Sequence, residues 1–143
     1  MRNALIIMAM AAVAVLAGCA SGPDFSKAQN GLPPLAAGKG RIFIYRSTGM
    51  GAAVQPDVRI NGDVVGTSKG NGIFFVDHDP GNIEVVIGTE VEKHLTFTLA
   101  PGNVRYVKCD VNMGLFVAHI VPILVDEKDA AKEISDLAFT GGK

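Results

Sequence analysis

The chain has 143 residues and is close to neutral, with 13 basic against 14 acidic side chains and a hydrophobic fraction of 48%. That balance gives no support for a nucleic-acid partner, which asks for a clustered excess of Lys and Arg. The length suits a single domain able to bury a core without metals or disulfides.

The first stretch, "MRNALIIMAMAAVAVLAG", carries one basic residue, Arg2, then an apolar run from Ala4 to Leu16 and small residues before Cys19. A positive start, a short apolar centre and a small-residue processing site make a signal peptide over residues 1–18, too short to span a bilayer permanently. Leu16, Ala17, Gly18 and Cys19 resemble the lipobox of bacterial lipoproteins. The resemblance implies that the Cys19 sulfur takes a diacylglycerol, that cleavage precedes it, and that the new amine takes an N-acyl chain. No other cofactor is expected. The alternative is an ordinary secretory peptide with an incidental cysteine, but A-x-A would then more typically precede the cut. Each buried methylene contributes about 0.8 kcal/mol and one chain holds only marginally, so three chains would anchor the protein stably. Ala20 and Ser21 follow the cysteine. The Asp that resembles an inner-membrane retention signal in enterobacterial lipoproteins is absent there, which implies the outer membrane, facing the periplasm. Removing 18 of 143 residues leaves 125, with Arg2 lost and a net charge of −2.

Residues 19–38, "CASGPDFSKAQNGLPPLAAG", are rich in Gly, Pro, Ala and Ser. They read as a lipidated flexible tether, and roughly 20 such residues give an end-to-end distance on the order of 25 Å. The folded domain is then residues 39–143. "RIFIYR", Arg41 to Arg46, is apolar on both faces, as in a covered central strand. In "DVRINGDVVG" Asn61-Gly62 predicts a two-residue hairpin, because both turn positions need positive φ. "GIFFVDHDPGNIEVVIG" reads strand, Asp-Pro-Gly turn, strand, with Ile83, Val85 and Ile87 on one face. "KHLTFTLAPGNVRYVKCDV" repeats the form, with Leu95, Phe97 and Leu99 inward, Thr96 and Thr98 outward, and a turn at Pro101-Gly102. Cys109 shares a face with Val107 and Val111 and reads as a small buried hydrophobe, an intermolecular disulfide being the other course for a cysteine without an internal partner.

Pro122 in "LFVAHIVPILV" points to an edge or irregular strand. From Asp126 to about Phe139 the period changes: Ala130, Ile134 and Leu137 form one stripe, predicting a C-terminal amphipathic α-helix capped by Asp126 and docked on the sheet. The predicted fold class is mainly β, an antiparallel β-sandwich or partial barrel closed by that helix.

"GRIFIYR", "VRINGDVVG", "GIFFVDHDPGNIEVVI" and "LTFTLAPGNVRYVKCDV", with the closing helix, resemble a family of small bacterial lipoproteins known as domain of unknown function 2846. The turns also resemble PEGA-type, prealbumin-like modules. The likeness covers about residues 39 to 139 and implies a fold; no catalytic residue comes with it.

Chemical motifs add little. "GTSKG", Gly66 to Gly70, matches G-x-S-x-G, but a nucleophile elbow needs a helix directly after Ser68 and "GNGIFF" turns into a strand. "GMGAAV" lacks the helix a dinucleotide fingerprint opens, since Pro56 follows too soon. Asp77, His78 and Asp79 cluster at a turn without a second ligand pair, so no metal is expected. His119 reads as a hydrogen-bonded core imidazole and His94 as solvated; a triad of Ser68, His78 and Asp110 is not required by spacing.

The expected function is a non-catalytic envelope module that binds a protein or assists assembly, through a sheet edge or the loops at Gly49-Met50-Gly51 and Lys69-Gly70-Asn71-Gly72. Its expected partners are the membrane, through the lipid anchor, and an envelope protein. Glycan or peptidoglycan binding is an alternative suggested by compartment and weakened by the absence of Trp and an aromatic fraction of 6%. A small envelope hydrolase using Ser68 or a His is the other.

Overall fold

Strand pairing organises the protein in the computed structural model, which describes residues 18–88 and 90–143. In chain order the strands are β1 (Gly40–Arg46), β2 (Asp57–Ile60), β3 (Asp63–Thr67), β4 (Gly72–His78), β5 (Gly81–Ile87), β6 (Lys93–Leu99), β7 (Val104–Met113), β8 (Ala118–Val125) and β9 (Ala138–Gly142). A short helix α1 (Phe25–Ala28) and a 3-10 turn (Gln29–Gly31) precede them, and α2 (Glu127–Ile134) lies between β8 and β9. The order is β8-β7-β1-β4-β9 in one sheet and β3-β2-β5-β6 in the other. The fold is thus mainly β, sandwich-like, with two open sheets rather than a closed barrel.

β1 is the central strand of its sheet, and its alternation explains why "RIFIYR" is apolar on both faces. Ile42 and Ile44 enter the core between the sheets, where they meet Val58, Ile60, Val85 and Ile87. Phe43 and Tyr45 point the other way, into a second core with Phe25, Phe75, Ile134 and Leu137. Fully burying such a side chain stabilises by about 1.5–3 kcal/mol, so this sheet needs a cover on each face. Asn61 and Gly62 both adopt positive φ, 50° and 92°, and join β2 to β3 as the sequence predicts. Ile83, Val85 and Ile87 are buried together. The Asp79-Pro80-Gly81 and Pro101-Gly102 turns do not close hairpins; each carries the chain from one sheet to the other.

The sheets are not wholly antiparallel: β1 pairs parallel with β7, and β4 with β9. A parallel pair requires a long crossover, and here the intervening strands supply it; alternation reports which face is buried, not strand direction. The C-terminal helix does not reach Phe139. It ends at Ile134, with Ala130 and Ile134 buried, and Ala138–Gly142 form β9 instead, along an edge of β4 that would otherwise be unpaired. Asp126 stands at the N-cap, but its carbonyl rather than its carboxylate takes the first amides, those of Asp129 and Ala130.

The stretch 19–38 is not a free tether throughout. Its first part is a cover: Phe25 is 4% exposed and packs edge-to-face on Phe43 at 5.4 Å. The amides of Phe25 and Ser26 donate to the carbonyls of Leu137 and Ser135, and Phe139 donates to Pro23. One aromatic residue in a polar stretch has no periodicity to read, yet it completes the outer core. His119 is not a core imidazole but is exposed. β8 is an edge strand that turns Ile120 and Pro122 inward and His119 outward; its outward neighbours are apolar too, which hid the alternation. Among the described residues no helix is long and apolar enough to cross a membrane. The predicted leader up to Ala17, with Leu16 of the lipobox, lies outside the described residues.

Candidate functional site

Cys19 and the two glycine-rich loops singled out in the sequence meet at one end of the sandwich. Cys19 forms a parallel bridge with Gly70, and the amide of Ala20 donates to the Gly70 carbonyl at 2.9 Å. Gln55 Nε2 donates to the carbonyls of Gly18 at 2.7 Å and Ala52 at 3.1 Å. Gly49 packs so closely that a Cβ there would stand 3.6 Å from Cys19 Sγ and 3.0 Å from the Asn71 amide nitrogen. Cys19 and Ala20 are therefore seated on the domain by backbone pairing with Gly70, and Gln55 holds Gly18, the last residue of the predicted leader.

Arg46 holds the loop beside it. Even-numbered on β1, it shares the inner face with Ile42 and Ile44 and is 1% exposed. Its Nη2 donates to the Met50 carbonyl at 2.6 Å and its Nη1 to those of Val54 at 2.8 Å and Ser68 at 3.4 Å. Burial pushes the guanidinium down from its ordinary value, while the nearby Cys109 and Cys19 act to raise it. Among the described residues, Arg46 Nε and Ser68 Oγ find no hydrogen-bond partner. Both line a cavity of about 10 Å³ that also touches Cys109, roughly the space of one water.

Cys109 is buried with Val107 in the inter-sheet core, as predicted. Burial pushes its thiol up to about 11, against smaller opposing effects from Ser68 and Arg46. It is therefore protonated at neutral pH and inert, since the thiolate is the reactive form.

The structure separates the remaining candidates. Ser68 precedes β4 and His78 ends it, so they lie at opposite ends of a seven-residue strand, and Ser68 leads into that strand rather than a helix. Asp110 sits on neither side's path: it follows Cys109 on β7, facing away from the inter-sheet core. The carboxylates around His78 are already occupied: Asp77 takes Arg41 and Asp79 takes Lys39, while His78 Nδ1 lies 2.8 Å from the Asp79 carbonyl. Among the described residues no three His, Cys, Asp or Glu side chains converge as a metal would need. His94 is exposed beside Glu84 and Glu92. His119 lines a cleft of about 350 Å³ with Val54, Pro56, Val91, Val117 and Ile120.

Sequence reasoning missed two groupings. One is Arg46 and its carbonyls, whose signal was only its parity with Ile42 and Ile44. The other lies under α2, where Tyr45 and Lys108 both donate to Glu133, at 2.8 and 2.7 Å; nothing local announces it.

A family model described as Protein of unknown function (DUF2846) matches residues 36–121, from the approach to β1 into β8. No curated protein matches the chain.

Proposed function

This chain belongs to the DUF2846 family of proteins of unknown function, and from that premise we propose that it is a lipoprotein anchored at Cys19 in the outer membrane. Its periplasmic domain binds another envelope protein or assists assembly without catalysis of its own. The observation that carries this function is the Leu16-Ala17-Gly18-Cys19 motif ending at a cysteine that sits against the two glycine-rich loops. A lipid at that sulfur would hold the loop end near the bilayer. The loops and the exposed edge strand β3 would then be offered within a short distance of the membrane. α2 serves as an amphipathic brace in this picture, supported by its buried Ala130 and Ile134 and exposed Glu127, Lys128 and Lys132.

The test is recovery of the tagged protein from cross-linked cells, with palmitate labelling and a Cys19→Ala variant. Label on the native protein alone, and a discrete protein recovered only with it, is the expected result. An unlabelled native protein, or normal function from an exported Cys19→Ala protein, would sink the proposal. Wall fragments recovered equally with both forms would move the assignment to glycan binding.

A further inference from the structure

The hairpin joining β7 to β8 ends in Gly114-Leu115-Phe116-Val117, closed by the Met113–Ala118 pair and by the Gly114 amide donating to the Val117 carbonyl at 3.0 Å. Turn positions ordinarily take Gly, Asn, Asp, Ser or Pro, as at Asn61-Gly62 and Pro101-Gly102 in this chain. Here the two tip residues are large and apolar, and Leu115 and Phe116 are each 95% exposed. Met113, Val117 and nearby Met50 are exposed as well. Contiguous exposed apolar side chains of this kind mark an interaction surface. No Asp, Glu, Lys or Arg occurs from Val111 to Val125.

The position of the tip selects its partner. Residues 49–51 connect it to Cys19: a Cβ on Gly49 would stand 3.6 Å from Cys19 Sγ on one side, and a Cβ on Gly51 would stand 3.2 Å from that of Ala118 on the other. The opposite end of the sandwich carries the Lys39–Asp79 and Arg41–Asp77 ion pairs instead. We infer that the Leu115-Phe116 tip of the β7–β8 hairpin inserts into the lipid bilayer beside Cys19, so that the domain is held in one orientation. This rests on lipidation of Cys19, which would already place that end at the membrane. Insertion is shallow, at the boundary of headgroups and acyl chains, because the backbone of an open turn must keep polar partners. Exposed Lys69, next to the Gly70 that bridges Cys19, lies on the same end, where anionic headgroups would meet it.

The chain has no Trp, so Phe116→Trp supplies a single fluorophore at a position too exposed to affect folding. The purified native lipoprotein carrying it is reconstituted in phosphatidylethanolamine–phosphatidylglycerol vesicles, with or without brominated acyl chains. Val104→Trp, at the other end of β7, is the control. The expected result is blue-shifted emission at 116 that loses most of its intensity to bromine, and water-like, unquenched emission at 104. Water-like emission at 116 overturns the inference, and so does a blue shift without quenching, which would mean a second copy of this chain covers the tip. The mass of the purified protein separates the two failures: lipid on Cys19 with an unquenched Trp overturns the insertion alone, whereas its absence overturns the lipoprotein proposal as well.

Discussion

β1 buries an arginine at each end, Arg41 against a carboxylate and Arg46 against carbonyls. Arg41 forms a two-pronged pair with Asp77, at 2.6 and 2.7 Å, and its guanidinium lies 4.1 Å from the centre of the Phe75 ring. Arg46 has three backbone acceptors and, among the described residues, no ion-pair partner. Desolvating a charge costs several kcal/mol. Three hydrogen bonds to a charged donor contribute about 1.5–3 kcal/mol each, which is enough to offset it. The first arginine matches charge with charge, while the second spends its charge on the shape of a loop. The difference follows position: the Arg46 end is where residues 49–56 must be held beside Cys19.

The largest effect that tests this contrast is Asp77→Ala. It strands the Arg41 guanidinium, whose side chain is only 8% exposed, and should lower unfolding stability in urea by about 3–5 kcal/mol. Replacing both partners, Arg41→Met with Asp77→Leu, should recover most of that loss; equal losses in the single and double variants would break the comparison. Arg46→Met comes next. It removes three bonds and a desolvation cost together, so the net loss should be about 1–3 kcal/mol. Faster amide exchange should be confined to residues 49–56, and a loss spread over both sheets would show that Arg46 supports the core rather than the loop.

Tyr45 sharpens the contrast from the outer face of the same strand, because its hydroxyl is a neutral donor to Glu133, a carboxylate already served by Lys108. Tyr45→Phe should cost about 1 kcal/mol in the same unfolding measurement. The smallest effect is in acid. Burial acts to raise Glu133, but hydrogen bonds from Lys108 and Tyr45 and the charge of Lys108 outweigh it and hold the carboxyl below its ordinary value. A depressed folded pKa means stability present above the unfolded value and lost as pH falls through the folded one. Glu133→Gln should therefore flatten part of the stability decline below the ordinary carboxylate range, and an unchanged acid limb would remove Glu133 from this account.

What the residues made legible was local or periodic. Asn61-Gly62 requires positive φ wherever it sits, Pro122 cannot donate within a ladder and so lies on an edge strand, and the alternation of "RIFIYR" announces two covered faces. The DUF2846 likeness rested on the strand and turn signals from "GRIFIYR" to "NVRYVKCDV" together with the closing helix, and the family model covers the strands that carry them. Phe25, the run Ala138–Gly142 and Arg46 were illegible for one shared reason. Each takes its role from a contact that no repeating pattern announces: Phe43 for Phe25, β4 for the run Ala138–Gly142, and for Arg46 the carbonyls of Met50 and Val54 in the loop that follows it and of Ser68 beyond.

By itself the sequence determined the mainly β character, the principal turns and the buried faces of strands such as β1, β5 and β6, because turn chemistry and a period of two act between neighbours. Only the tertiary structure decided the parallel pairings, the cover over the outer face and the meeting of Cys19, the Gly49 and Gly70 loops and the apolar hairpin tip at one end. Those depend on which distant backbone groups satisfy one another once water is excluded, and no short stretch of the chain contains both partners.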